Sequence, residues 1–390
     1  MAWIHARAAG DEASAAELRL VDGNILTPEG LRRGTLVCRD GLILGIEPGR
    51  GLAGRSGEDV GGDLLAPGFV ELHTDNLERH IMPRPGIFWS DPLAALEAHD
   101  AQLAGAGITT VFDSVCVGEP LDKGRHAMLP LSLEAVNSGR RQLRCAHLLH
   151  LRCEISDPGM SGQLDLALGM ARPDLVSIMD HTPGERQWRT PEDWLVYHQA
   201  KMPEDELLRV SRRLRAARDS CAEANIRRVA LYARDEGIPL ASHDDTDPGH
   251  VADAVRLGAR ISEFPTTLAA ARAAKEAGLL TVLGTPNLVR GKSHSGNVKV
   301  SEVAEAGCLS CLSSDYVPGS LLHGAWKLWR EHGFTLPEAM GAISANPARA
   351  AGLEDRGRIV PGLRADLVRV REIGGRPRLM GVWVGGERVF

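Results

Sequence analysis

No apolar run in the 390 residues approaches the ~18 needed to cross a bilayer, which excludes a helical membrane protein. Residues 1–16 carry charge and lack a continuous apolar core, so they are expected to be a disordered leader rather than a secretory signal. Glycine (43) and proline (22) are too few for a collagen-like or low-complexity chain. The seven cysteines are odd in number and scattered, which excludes a disulfide scaffold and points to a reducing cytoplasm. The single CxxC, Cys308 to Cys311, has no partner pair nearby and is expected in the core. Cationic excess is also missing. A net charge of −6 argues against a nucleic-acid partner that binds by counterion release.

What is present is an alternation. Between residues 66 and 333, eight short apolar runs alternate with helical patterns: 68–73, 108–115, 145–154, 175–181, 238–244, 260–264, 279–284 and 308–315. Ser90-Asp91-Pro92 reads as a helix start, 266–278 as an Ala-rich helix ending at Gly278, and 319–333 as a helix with Leu322, Trp326 and Trp329 on one face. The longest insert, 183–237, reads as a Trp-containing loop followed by two helices. Eight strand–helix units in series predict an α/β fold, a (β/α)₈ TIM barrel. The alternative, an open doubly wound sheet, lacks its nucleotide-binding fingerprints, since no GxGxxG or GxxxxGK[ST] follows the first strand. The flanks instead show hairpin signals such as Asp40-Gly41 and Gly374-Gly375. Neither flank can bury a core alone. Residues 17–66 and 345–390 are therefore expected to pair into a small β-sandwich domain, with 67–344 as the barrel.

Barrel active sites form at the C-terminal ends of the strands. Reading those ends in order gives His73 and Asp75, Asp113, Arg152 and Glu154, Asp180 and His181, His243 to Asp245, Glu263, Asn287 and Asp315. A lone acid or imidazole at a strand end is often only a loop cap. A ring of them is different, because buried carboxylates are costly unless cations neutralise them. The candidate metal ligands are His73, Asp75, Glu154, His181, His243, Glu263 and Asp315. His73 and Asp75, two apart, share one strand face, as two ligands of one ion require. This donor set suits one or two divalent ions, zinc first and manganese or iron next. Asp113, His99, His147, His150, His198, His323 and His332 are read as structural. Asp244 and Asp245 are read as supporting or helix-start acids.

A second set is cationic: Arg84, Arg152, Arg186, Arg290, Lys292 and His294, with Asn287 beside them. All follow strand ends. A local cationic crown on an acidic protein points to an anionic substrate, and arginine suits phosphate.

The blocks APGFVELHTDN, SIMDHTPGERQ, LASHDD, EFPTT, TPNLVRGKSHSGN and LSSDYVP resemble the amidohydrolase superfamily and, more closely, the PhnM family of the bacterial carbon–phosphorus lyase pathway. The resemblance runs from about residue 17 to the C-terminus. It implies a metal-dependent (β/α)₈ hydrolase acting on α-D-ribose 1-methylphosphonate 5-triphosphate and releasing pyrophosphate and the 5-monophosphate. It places His73 and Asp75 at the first-strand ligand pair, with aspartate replacing the second histidine. Glu154 falls where a bridging group stands, His243 at the fifth-strand histidine, and Asp315 at the eighth-strand acid. Glu263 stands where the wider superfamily has a histidine. Under this reading a hydroxide generated at the metal attacks the α-phosphorus. The catalytic residues are then Asp315, which takes the proton, and His294, which with Arg186, Arg290 and Lys292 neutralises the leaving group. The expected partners are the small phosphorylated ribose phosphonate, a second copy in a homo-oligomer and other proteins of that pathway, with no nucleic acid and no membrane. The rival reading is hydrolysis of a C–N bond in a cyclic amide or nucleobase-like substrate, which the same metal ring serves.

Overall fold

The computed structural model describes residues 17–49, 57–121, 123–140, 142–199, 202–293 and 296–390. The expected leader, 1–16, lies outside them, as does His294. The chain opens with strands β1 (Glu17–Thr27), β2 (Gly30–Arg39), β3 (Leu42–Pro48), β4 (Glu58–Asp59) and β5 (Leu64–Pro67). The barrel strands follow: β6 (Phe69–Thr74), β7 (Ile108–Val117), β8 (Ala146–Glu154), β9 (Leu175–Met179), β10 (Leu240–His243), β11 (Ile261–Glu263), β12 (Leu280–Gly284) and β13 (Cys311–Ser313). The chain closes with β14 (Leu367–Ile373), β15 (Arg376–Val384) and β16 (Glu387–Arg388).

Each of β6 to β12 pairs in parallel with its successor, so all eight expected strands form one sheet in chain order. Strands covered on both faces read as near-continuous apolar runs; β7 is buried at every position. The sheet closes differently at its two ends. At the C-terminal end β6 meets the segment after β13 directly: the Asp315 carbonyl accepts from Asp75 N at 3.2 Å and from Thr74 Oγ1 at 2.8 Å. At the other end a turn fills the gap, with Val70 N donating to the Ile343 carbonyl and Leu312 N to that of Ala342.

The helices start where the caps predict. Asp91 accepts from Leu93 N and Ala94 N and opens Pro92–Gly105. Thr267 caps Leu268–Glu276. Ser320–Glu331 packs its apolar face on the barrel. The insert holds Pro191–His198, opened by a Thr190/Asp193 capping box, and the 32-residue helix Glu204–Asp235. Cys308 and Cys311 are buried, and all seven cysteines are free thiols. No helix among the described residues is long and apolar enough to cross a membrane.

The two flanks meet in one curled sheet in the order β16-β15-β14-β5-β1-β2-β3, with β4 also on β1. The C-terminal strand β14 pairs with β5, the strand that leads through Gly68 into the barrel. Gly68 is required there, because a Cβ would lie 2.3 Å from Thr109 Oγ1.

Candidate metal centre

Five of the seven expected ligands, His73, Asp75, His181, His243 and Asp315, line one cavity of about 260 Å³ at the C-terminal mouth of the barrel. Arg152 and Asn287 line it as well, together with Asp244. Period-two geometry explains the convergence: Glu71, His73 and Asp75 point to one side of β6, and His150, Arg152 and Glu154 to one side of β8.

The three imidazoles share one arrangement. His73 Nδ1 donates to Glu263 Oε1 at 3.1 Å and His243 Nδ1 to Glu263 Oε2 at 3.2 Å. His181 Nδ1 donates to Glu154 Oε2 at 2.7 Å. A carboxylate only accepts, so each ring carries a proton on Nδ1; His73 and His243 keep a lone pair on Nε2, and His181 does so in its neutral form. Those Nε2 atoms face the cavity acids: His73 is 3.9 Å from Asp75 Oδ1, while His181 and His243 are 3.7 and 3.6 Å from Asp244 Oδ2. This is the carboxylate–imidazole arrangement that supports a metal ligand from behind.

The electrostatics favour the neutral ring at two of the three positions. Burial, with Arg152 nearby, pushes His73 down to about 3, and burial lowers His243 well below its ordinary range, so both rings are neutral. His181 is pushed up to about 8: burial opposes its charge, but Glu154 and Asp244 outweigh it. Asp75 lies well below the usual carboxylate range, because Arg152 overcomes the penalty of burial. Burial raises Asp244 to about 7, and burial with Asp75 alongside raises Asp315 to about 7. Carboxyls held near neutrality beside imidazole lone pairs form a donor set that a divalent cation fits. The donor atoms of His181, His243 and Asp244 lie within 4.8 Å of one another. Those of His73, His150 and Glu263 do too, but His150 is already engaged. Its Nδ1 lies against the Leu72 carbonyl at 3.0 Å and its Nε2 against Ser177 Oγ at 2.9 Å.

Other expected residues lie elsewhere. Glu263 and Glu154 do not line the cavity; they stand behind the rings. Arg186 turns away, because its backbone is left-handed (φ 42°) and its guanidinium donates to the His243 carbonyl and to Asp245. Arg84 and Lys292 on the surrounding loops and Arg290 at the end of the short helix Thr285–Arg290 are exposed and do not line the cavity. Asp113 is indeed engaged structurally, accepting from His99 and from His147, which it holds up at about 9 against the effect of burial.

Sequence reasoning missed three features. Asp244 lines the cavity because its left-handed backbone (φ 56°) turns it inward. Phe264, also left-handed (φ 52°), sets its ring edge-on to His73 and His243. Glu71, raised to about 7 by burial, forms a polar floor with Ser313, Ser314 and His73 N. Period two from His73 was the one available signal, and it pointed to Glu71. Strained backbone gathered at a mouth is itself a mark of a working site. A larger groove of about 670 Å³ opens at the opposite end of the barrel and contains no comparable group of donors among the described residues.

An amidohydrolase family model matches residues 209–390. The chain is 40% identical over 339 residues to the alpha-D-ribose 1-methylphosphonate 5-triphosphate diphosphatase of Escherichia coli (strain K12), covering 85% of this chain and 89% of that one. Among solved structures, N-acetylglucosamine-6-phosphate deacetylase from Pasteurella multocida superposes with a TM-score of 0.65 at 14% identity, covering 96% of this chain and 99% of that one. The 5-methylcytosine deaminase from Klebsiella pneumoniae gives 0.65 at 15% identity, covering 96% and 98%. At such identity these two show the fold alone.

Proposed function

The chain belongs to the alpha-D-ribose 1-methylphosphonate 5-triphosphate diphosphatase family of amidohydrolases, and from that membership we propose that it hydrolyses this triphosphate to pyrophosphate and the 5-monophosphate. The observation that carries the substrate is the identity shared over nearly the whole of both chains. The observation that supports the chemistry is the set of three imidazole Nε2 atoms and three carboxylates converging on one cavity.

His73, His181 and His243, through Nε2, with Asp75, Asp244 and Asp315, would hold one or two divalent ions, zinc being the best match to nitrogen-rich donors. A bound ion lowers the pKa of water and neutralises charge on the phosphoryl oxygens. The chain's own groups do the rest. Water adds to the α-phosphorus, the bond to the bridging oxygen of the β-phosphate breaks, and pyrophosphate leaves. Asp315, on the cavity rim beside Asp75, is placed to take the proton from the attacking water. Arg152, the cation in the cavity wall, holds Asp75 in place. Arg84, Arg290 and Lys292, with no carboxylate partner among the described residues, are free to meet the outer phosphates. Seven free thiols are consistent with a cytoplasmic enzyme.

The test is phosphorus NMR of the metal-replete protein with the ribose phosphonate triphosphate, and with ATP in parallel. Pyrophosphate and the 5-monophosphate from the first substrate alone are expected. Release from both would mean a broader triphosphate diphosphatase, and no change in either would favour C–N hydrolysis.

A further inference from the structure

Glu263 ends the sixth barrel strand, is fully buried and does not reach the cavity. Its two oxygens engage two different rings, Oε1 at His73 Nδ1 and Oε2 at His243 Nδ1. The rings lie stacked, 5.4 Å apart and 24° from parallel, and Phe264 packs edge-on against both at 4.9 and 5.2 Å. The carboxylate, the two rings and the phenyl thus form one packed unit. Neither the residue's position nor its bonding turns it towards an ion in the cavity: it does not line the cavity, and each oxygen already accepts from a ring.

We propose that Glu263 is a shared positioning residue: one carboxylate fixes the tautomer and direction of two imidazoles at once, so that His73 and His243 present Nε2 to a divalent ion together. The inference rests on the metal-dependent reading above. It assigns the substitution of glutamate at this strand end a role as support, not as replacement ligand.

Glu263→Gln separates the two roles. The glutamine amide oxygen can accept from one Nδ1–H, but its NH₂ must donate to the other Nδ1, which then has to surrender its proton. That ring carries Nε2–H and has no lone pair for a metal. In metal-free protein labelled with ¹⁵N-histidine, wild type is expected to show His73 and His243 both protonated on Nδ1, and Glu263→Gln to show one of them converted to Nε2–H. Zinc affinity, read by chelator competition, should fall by about 10–100-fold, the usual effect of losing such a support. Glu263→Asp, which keeps a carboxylate with a shorter reach, should retain more of the affinity than Glu263→Gln. If Glu263→Gln fails to fold, the wild-type tautomers alone decide, since Nε2–H on either ring of the metal-free protein overturns the proposal. So would unchanged tautomers with unchanged affinity in the variant. Unchanged tautomers with near-complete loss of zinc would make Glu263 a ligand and overturn it as well. None of these readings involves substrate, so a failed phosphonate assay leaves them intact.

Discussion

Asp315 sits where a carboxylate is expensive. It is largely buried, with Asp75 on the same rim, and its carboxyl rises to about 7. Its backbone carbonyl, not its side chain, receives Thr74 and Asp75. Asp315→Asn therefore removes the charge and leaves the strand closure intact. The expected result is a kcat lower by about 10²–10⁴ with the fold retained; near-wild-type turnover with metal bound would end the general-base assignment. The sign for stability follows from linkage. In the metal-free protein the folded carboxyl binds its proton more tightly than the unfolded one, so wild type loses stability as pH rises from the unfolded value of about 4 towards 7. The asparagine variant lacks that loss, and its melting temperature should gain on wild type across that window. Residue by residue, the sequence revealed which side chains end strands, and so His73, Asp75, His181, His243 and Asp315 were legible. It did not reveal which way the chain turns next. Asp244 and Arg186 both adopt left-handed backbone, which sends the first into the cavity and the second away from it.

Elements were more legible than residues, because each barrel strand is an apolar run bounded by helix signals. Even β11, three residues long, lay inside an expected run. The turn whose Ala342 and Ile343 carbonyls complete the barrel was not legible, since it works through backbone atoms that any sequence supplies. Packing between elements was equally hidden, and Gly324 shows it. Within a helix such as Ser320–Glu331, glycine to alanine ordinarily stabilises by about 1 kcal/mol. Here a Cβ would lie 2.2 Å from Thr285 Cγ2 and 3.3 Å from Leu312 Cδ1. Thr285 is β-branched and stiff, and it begins the short helix that carries Asn287 into the cavity. Gly324→Ala should therefore reverse the usual sign and destabilise by about 1–3 kcal/mol, read as a lower urea midpoint. A gain in stability would mean that the two helices do not pack this closely.

For the molecule as a whole, the question is whether the curled sheet is an attachment or part of the barrel's core. Val370 and Val382 of the sheet belong to the same buried cluster as Phe69, Ile108 and Trp326 of the barrel. Asp63, at the start of β5, is held by Arg369 and Arg371 of β14, and these lower its carboxyl despite burial. Gly68 N, at the entrance to the barrel, donates to the Asp366 carbonyl at 2.8 Å. Removing residues 366–390 would uncover one edge of β5 and strip out the buried side chains of Leu367, Val368, Val370, Val382 and Trp383. At about 1.5–3 kcal/mol each, their loss is on the order of 10 kcal/mol. Such a loss equals the whole stability of an ordinary protein, about 5–15 kcal/mol. It also leaves the Asp63 carboxylate without its cations. The truncated chain should show no cooperative melting transition by calorimetry and no bound divalent ion, although every cavity residue remains in its sequence. A truncated protein that melts cooperatively and still holds its metal would mean that the barrel is an independent folding unit and that the terminal sheet serves some purpose other than stability.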